Sequence, residues 1–341
     1  VKRARLRAAA ALLLLLPLGP AGAAAGPTNV TANPIPQFRI GSPETRFGQL
    51  DYLGGFSYRS SDRRLEGVSA IRMREGGQRF LAVTDTGFWF RGAIRRDGEG
   101  RPIGIEDAEM APILDRLGRP SARKGDADAE GLALDGDHAL VSFERDARIE
   151  RFDADRPERG TPVPLPIPKR ELRSNGGLET IAVSPRSSPL KGAAIIVAEQ
   201  SVDAEGNLLA AILGLGTKGL FTVRKDAVWS ATDGAFLANG DFLLLERRYE
   251  GFGRIGMRIR RIASEMIRPG ALADGPVIME ADFGNEIDNM EGLDVWTNAA
   301  GETILSLVSD DNGSFFQRNL YLEFHLRESG EASLPNEGRT R

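Results

Sequence analysis

Cysteine is absent from the 341 residues, and histidine occurs only twice, as His138 and His325. The first absence excludes disulfides, thiolate zinc sites, iron–sulfur clusters and cysteine nucleophiles. The second excludes a three-histidine metal site. His138 follows a hairpin turn, and His325 alternates within a C-terminal strand, so both read as structural. An excess of one charge is also missing: the formal net charge is −4, which gives no case for nucleic acid. There is no Gly-x-Ser-x-Gly elbow, no P-loop and no Gly-x-Gly-x-x-Gly opening a helix. A serine esterase triad is therefore poorly supported. Glycine, by contrast, is abundant at 40 residues. That density implies many tight turns and many short strands.

The N-terminus has three parts. Lys2, Arg3, Arg5 and Arg7 make a basic start, Ala8 to Leu16 is an apolar run, and small residues near Ala23 to Ala25 follow. This is the pattern of a secretory signal peptide over residues 1–25. The run is far shorter than the ~20 residues that span a bilayer. No other long apolar run follows, so the mature chain is expected to lack a membrane span and to be periplasmic or secreted. A monomer is expected. The polar stretch 328–341 reads as a disordered tail.

Between them the chain repeats itself. Five segments share a pattern of an acid, in most cases a small residue, and a short apolar strand: Leu65-Glu66-Gly67-Val68, Ala129-Glu130-Gly131-Leu132, Leu178-Glu179-Thr180-Ile181, Thr232-Asp233-Gly234-Ala235 and Met290-Glu291-Gly292-Leu293. Each is followed by a turn and a second strand ending in a carboxylate: Asp85, Glu144, Glu199, Glu246 and Asp310. Third and fourth strands follow. Four strands per unit, at about 50 residues per unit, predict an all-β fold: a β-propeller of four-stranded antiparallel blades over residues 33–327. Five blades are counted. A sixth stays open if 37–58 or 103–117 holds further strands. Two packed sandwiches are the competing architecture. Leu50 to Tyr58 should pair beside Leu320 to Leu326 and close the ring, hiding both sheet edges.

In a propeller the start of the first strand and the end of the second lie on one face. Glu66, Glu130, Glu179, Asp233 and Glu291 should therefore ring one channel mouth, with the second-strand acids beside them. Asp62, Asp126, Asp128, Asn175, Asp288 and Asn289 add oxygens, and Asp311 and Asn312 extend the outer ring. So many facing carboxylates call for compensation. An oxygen-rich site without Cys and with little His favours Ca²⁺, with Mg²⁺ open as well, over zinc or copper. The candidate metal ligands are Glu66, Asp128, Glu130, Glu179, Asp233, Asp288, Glu291 and Asp310. A structural role, capping backbone amides of the next blade, competes for any single Glu. Arg145 and Arg247 directly follow outer-ring acids, and Arg91 and Arg318 lie near comparable turns. Each suits a surface ion pair; together with cations they suit a small anionic substrate such as a phosphate ester.

These motifs resemble the phytase-like family of exported bacterial proteins, described as having esterase-like activity of phytase. The resemblance rests on Leu65-Glu66-Gly67-Val68-Ser69-Ala70-Ile71 with Phe80-Leu81-Ala82-Val83-Thr84-Asp85-Thr86-Gly87, on Ala129-Glu130-Gly131-Leu132-Ala133 with Phe143-Glu144-Arg145, and on Asp288-Asn289-Met290-Glu291-Gly292-Leu293. It implies a propeller and a phosphoester hydrolase, to which the oxygen-rich mouth adds the expectation of a divalent metal. The Asp-Ala-Ala-Asp-Asp run of propeller phytases is absent, so phytate itself is not implied. The Glu-Gly inner strands also resemble gluconolactonase-type propellers, in which a Glu at that place binds a divalent metal. A non-catalytic envelope propeller that binds a partner is the reading from another class. In the hydrolase reading Arg145 and Arg247 hold the phosphate, and Glu130 or Glu291 orients or deprotonates water.

Overall fold

A computed structural model describes residues 25–120, 127–157, 159–251, 253–314 and 316–327. The expected signal peptide, the expected tail at 328–341 and Asp126 lie outside the described residues.

The described chain forms five sheets in a ring, so the five-blade count holds. The innermost strands are Val68–Arg74, Ala129–Asp135, Leu178–Val183, Ser230–Phe236 and Asn289–Thr297. Each packs against the innermost strands of both neighbouring blades, the last against the first. Blade 1 continues outward through Arg79–Thr84, Phe88–Arg96 and Pro102–Pro112. That last strand takes 103–112 of the stretch 103–117 into blade 1, and the strands of 37–58 join blade 5, so neither stretch in which a sixth blade stayed open forms one. Blade 5 runs through Thr303–Asp310 and Asn319–Leu326 and takes its fourth strand, Leu50–Arg59, from the other end of the chain. The closure pairs Asn319 with Tyr58 and Leu326 with Leu50, as expected. Blades carry four to six strands because short pieces add to their outer edges. Gly26–Pro27 lies on blade 1, Thr31–Ile35 and Arg46–Phe47 lie on Leu50–Arg59, and Leu272–Ala273 runs parallel to Leu220–Val223 in blade 3.

The core is divided among the gaps between blades. Phe242 and Leu244 pack toward blade 3, whereas Leu243 and Leu245 pack toward blade 5. Phe80 and Ala82 face blade 5, whereas Leu81 and Val83 face blade 2. Side chains alternate along a strand, and here both faces are buried. The strands therefore read as continuous apolar runs instead of alternating ones. Among the described residues no helix is long and apolar enough to cross a membrane.

Close packing at the channel explains the glycine of the repeat. A Cβ at Gly131 would stand 2.3 Å from the Glu179 carbonyl oxygen, and one at Gly292 would stand 2.6 Å from Val308 Cγ2. A side chain there would collide with its own sheet or the neighbouring blade.

Candidate metal centre

Every innermost strand breaks its ladder with the next strand at the same place. In blade 2 the break leaves Glu130 without a cross-strand partner, in blade 3 Glu179 and in blade 5 Glu291. In blade 1 that residue is Ser69, and in blade 4 it is Thr232. A bulge re-aims the extra residue. The inner ring is therefore three glutamates, a serine and a threonine, where the repeat predicts five acids.

The two remaining members of the predicted ring lie elsewhere. Glu66 stands three residues before the bulge, on the rim, where its Oε1 accepts from Arg63 Nε at 3.2 Å. Asp233 follows the bulge and is buried in the channel. It accepts from Arg72 Nη1 at 2.7 Å and Nη2 at 2.8 Å, and from the Leu293 amide at 3.0 Å. Arg72 also donates to the carbonyls of Ile71, Ile181 and Leu293, so this guanidinium touches four blades. These carbonyls lie two residues beyond the bulges, one layer below the glutamates.

The outer ring is set by the second strands. The amides of Asp85, Glu144 and Glu199 donate to the carbonyls of Gly67, Asp128 and Gly177, and Asp310 pairs with Asn289. In blade 4 the matching residue, opposite Ser230, is Arg247. Glu246 is one residue out of step and faces the other way. It accepts from Arg258 Nε at 2.6 Å and Arg260 Nε at 2.8 Å.

The acids of blades 2 and 3 converge. Oxygens of Asp128, Glu130 and Glu144 lie within 4.8 Å of one another, and so do oxygens of Glu144, Glu179 and Glu199. Glu144 belongs to both groups. Its Oε1 accepts from the Gly176 amide, and from the Gly177 amide at 3.1 Å. Asp128 accepts from Arg145 Nε at 2.7 Å, while the Arg145 side chain stays 55% exposed. Glu291 lies outside both groups; its Oε1 accepts from Arg247 and from Asn289 Nδ2 at 2.7 Å. Asp288 sits further out and accepts from the Asn289 amide at 2.9 Å and the Arg318 amide at 3.1 Å. Asp310 is buried and accepts from the Asn312 amide at 2.7 Å.

The electrostatics follow from the crowding. Burial pushes Glu130 well above the usual carboxylate range, and Asp128, Glu291, Asp85 and Glu144 push it further. Burial does the same to Glu179, with Glu130 and Glu199 next. Glu291 is raised to about 8 by burial; Arg247 opposes this, and Asp310 and Glu199 add to it. Asp310 is raised to about 7, mainly by burial, with Asp85 and Asp311 adding to it. Clustered oxygens whose negative charge the protein leaves under-compensated match a hard divalent cation. The two acidic groups have the donor chemistry to coordinate one. Glu144 and Glu199 were absent from the expected ligand set, although the carboxylate closing each second strand signals them. Nothing in the sequence marks Ser69 or Thr232.

A family model described as "Phytase-like: Esterase-like activity of phytase" matches residues 63–313. The chain belongs to the phytase-like family. The matched span contains all five innermost strands and every residue of the two acidic groups. No curated protein matches the chain. Similar solved structures include the Pan2 WD40 domain of Neurospora crassa, at 10% identity over 84% of this chain and 98% of that one, with a TM-score of 0.38. A glucose dehydrogenase shares 12% identity over 80% of this chain and 98% of that one, with a TM-score of 0.42. A bifunctional GH43-CE protein of Bacteroides eggerthii shares 13% identity over 75% of this phytase-like chain and 33% of that one, with a TM-score of 0.44.

Proposed function

We propose that this phytase-like propeller is an exported, monomeric, Ca²⁺-dependent hydrolase of phosphate esters. The observation that carries the reading is the pair of acidic groups joined by Glu144, at the channel mouth. Export is supported by the basic start and apolar run of the N-terminal sequence.

Asp128, Glu130, Glu144, Glu179 and Glu199 would hold the cation. Bound there, Ca²⁺ supplies counter-charge and Lewis-acid polarisation to a phosphoryl oxygen. Arg145 would hold the anion: one nitrogen is fixed to Asp128, and the exposed remainder of the planar fork matches phosphate. Arg247 is less suited to that task, because Glu199, Glu291 and Asn289 already take its donors. Glu291 would take the proton of the attacking water. Its Oε1 is held by Arg247 and Asn289, which fixes the carboxylate and presents Oε2 for the transfer. Its affinity for protons, near pH 8, suits a general base at neutral to mildly alkaline pH. Arg72 and Asp233 fill the channel one layer below, so substrate and product would use the same opening.

The test is a hydrolysis panel of phosphate esters and sugar lactones, run on the mature chain with Ca²⁺ and with chelator. Phosphate release that needs Ca²⁺ is expected. Turnover of lactones alone would replace the phosphatase reading with a lactonase. No turnover of either class would leave a binding propeller.

A further inference from the structure

We propose that Arg247 is a tethered cation standing where a metal ion would otherwise sit, confining divalent cations to the half of the mouth built by blades 2 and 3. The inference rests on the reading of the mouth as a metal centre.

Four blades place a carboxylate at one ladder position: Asp85, Glu144, Glu199 and Asp310. Blade 4 alone among the five places an arginine there. Its Nη2 donates to Glu199 of blade 3 at 3.2 Å, and its Nη1 donates to Glu291 and Asn289 of blade 5. The guanidinium thus links acids of the two blades that flank its own. Bridging acids from different elements is what a bound cation does.

Blade 4 departs at the inner ring as well. Where blades 2, 3 and 5 present a glutamate, it presents Thr232. Thr232 is 2% exposed, and its hydroxyl has no hydrogen-bond partner. That buried polar atom at the inner-ring position is available to a ligand but adds no charge. Blades 2, 3 and 5 each contribute an inner and an outer carboxylate, whereas blade 4 contributes a hydroxyl and a positive charge, and that charge is bonded to the inner carboxylate of blade 5. Both acidic groups lie on blades 2 and 3, and neither includes Glu291. Arg247, by bonding Glu291, holds it out of the ligand set and leaves the cations to the acids of blades 2 and 3.

The test titrates the full mature chain, freed of metal, with Ca²⁺ alone by calorimetry. Arg247→Glu gives blade 4 a carboxylate, as the other four blades have at this position. It is expected to bind one more Ca²⁺ per chain than wild type. Arg247→Gln removes the charge and is expected to bind Ca²⁺ about tenfold tighter or more, since a unit charge no longer opposes the ion nearby. Arg247→Lys keeps the charge and should retain the wild-type stoichiometry. If Arg247→Glu does not fold, the Gln and Lys pair decides. Equal stoichiometry in wild type and Arg247→Glu, or no tightening in Arg247→Gln, overturns the inference. Uptake by Arg247→Glu with none by wild type would uphold Arg247 as the stand-in for a cation while refuting the wild-type metal centre and, with it, the confinement to blades 2 and 3. No uptake by any variant refutes both.

Discussion

Arg72 and Asp233 meet across the propeller axis in a two-pronged ion pair, Nη1 to Oδ2 at 2.7 Å and Nη2 to Oδ1 at 2.8 Å, with both side chains buried. The pair ties blade 1 to blade 4, which are not neighbours in the ring. Asp294 of blade 5 stands beside it and accepts from the Met73 amide at 2.6 Å. A closed ring of sheets is held by contacts between neighbours; this pair adds a bond through the centre.

Asp233→Asn should therefore be costly. It leaves a buried guanidinium without its counter-charge, a change that typically costs about 3–5 kcal/mol. Urea unfolding of wild type and variant measures it. A loss below about 1 kcal/mol would mean that water or Asp294 replaces Asp233 readily.

Ca²⁺ should raise the melting temperature of metal-free protein, because a ligand bound to the native state alone stabilises it. Glu144→Gln should remove most of that gain, since Glu144 serves both acidic groups. Glu66→Gln should keep it, since Glu66 pairs with Arg63 on the rim. Scanning calorimetry at millimolar Ca²⁺ checks both. Loss of the gain in Glu66→Gln with retention in Glu144→Gln would move the centre to the rim.

The pH dependence has a definite sign. Glu291 binds its proton up to about pH 8 in the folded chain, against an ordinary 4.5; Asp310 does so up to about 7, against 3.8. Between the ordinary and raised values the folded state holds protons that the unfolded state has released. Stability of metal-free protein should fall as pH rises from about 5 to 8. Ca²⁺ compensates the ionised carboxylates, so its stabilising effect should grow over the same range. Melting curves at pH 5 and pH 8, with and without Ca²⁺, test this. A flat or rising metal-free curve would show that the acids are compensated within the protein.

Much of this was legible in the sequence. The repeat gave five units, and the pairing of Leu50–Arg59 with Asn319–Leu326 followed from the missing strand of the last unit. The acids at Glu130, Glu179 and Glu291 were readable because their blades share one spacing to the bulge. Glu66 falls three residues short of the bulge at Ser69, because the Glu-Gly pair of blade 1 ends the 3₁₀ turn Arg63–Leu65 ahead of the strand. Asp233 falls one residue past the bulge at Thr232, a slip that leaves no mark in the residue types. The same slip hid Arg247: Glu246 occupies the expected place in the sequence, but alternation turns it toward Arg258 and Arg260. Hydroxyls at Ser69 and Thr232 could be found only from the ladder.

The last prediction separates the two glutamates that the sequence leaves as equals. Glu130 stands within 4.8 Å of Asp128 and Glu144 oxygens and is expected to bind the cation; Glu291 stands outside the acidic groups and is expected to move the proton. Glu130→Gln should weaken Ca²⁺ binding, and raised Ca²⁺ should restore part of its activity. Glu291→Gln should bind Ca²⁺ as wild type does and lose turnover by about 10²-fold or more, the usual contribution of a positioned general base. No amount of Ca²⁺ should rescue it. The alkaline-going limb of the pH–rate profile should disappear with it, because that limb reports the base losing its proton. Calcium titration and kcat measured on both variants decide the matter. If excess Ca²⁺ rescues Glu291→Gln and not Glu130→Gln, the two roles are exchanged, and the acid bonded to Arg247 is the metal ligand.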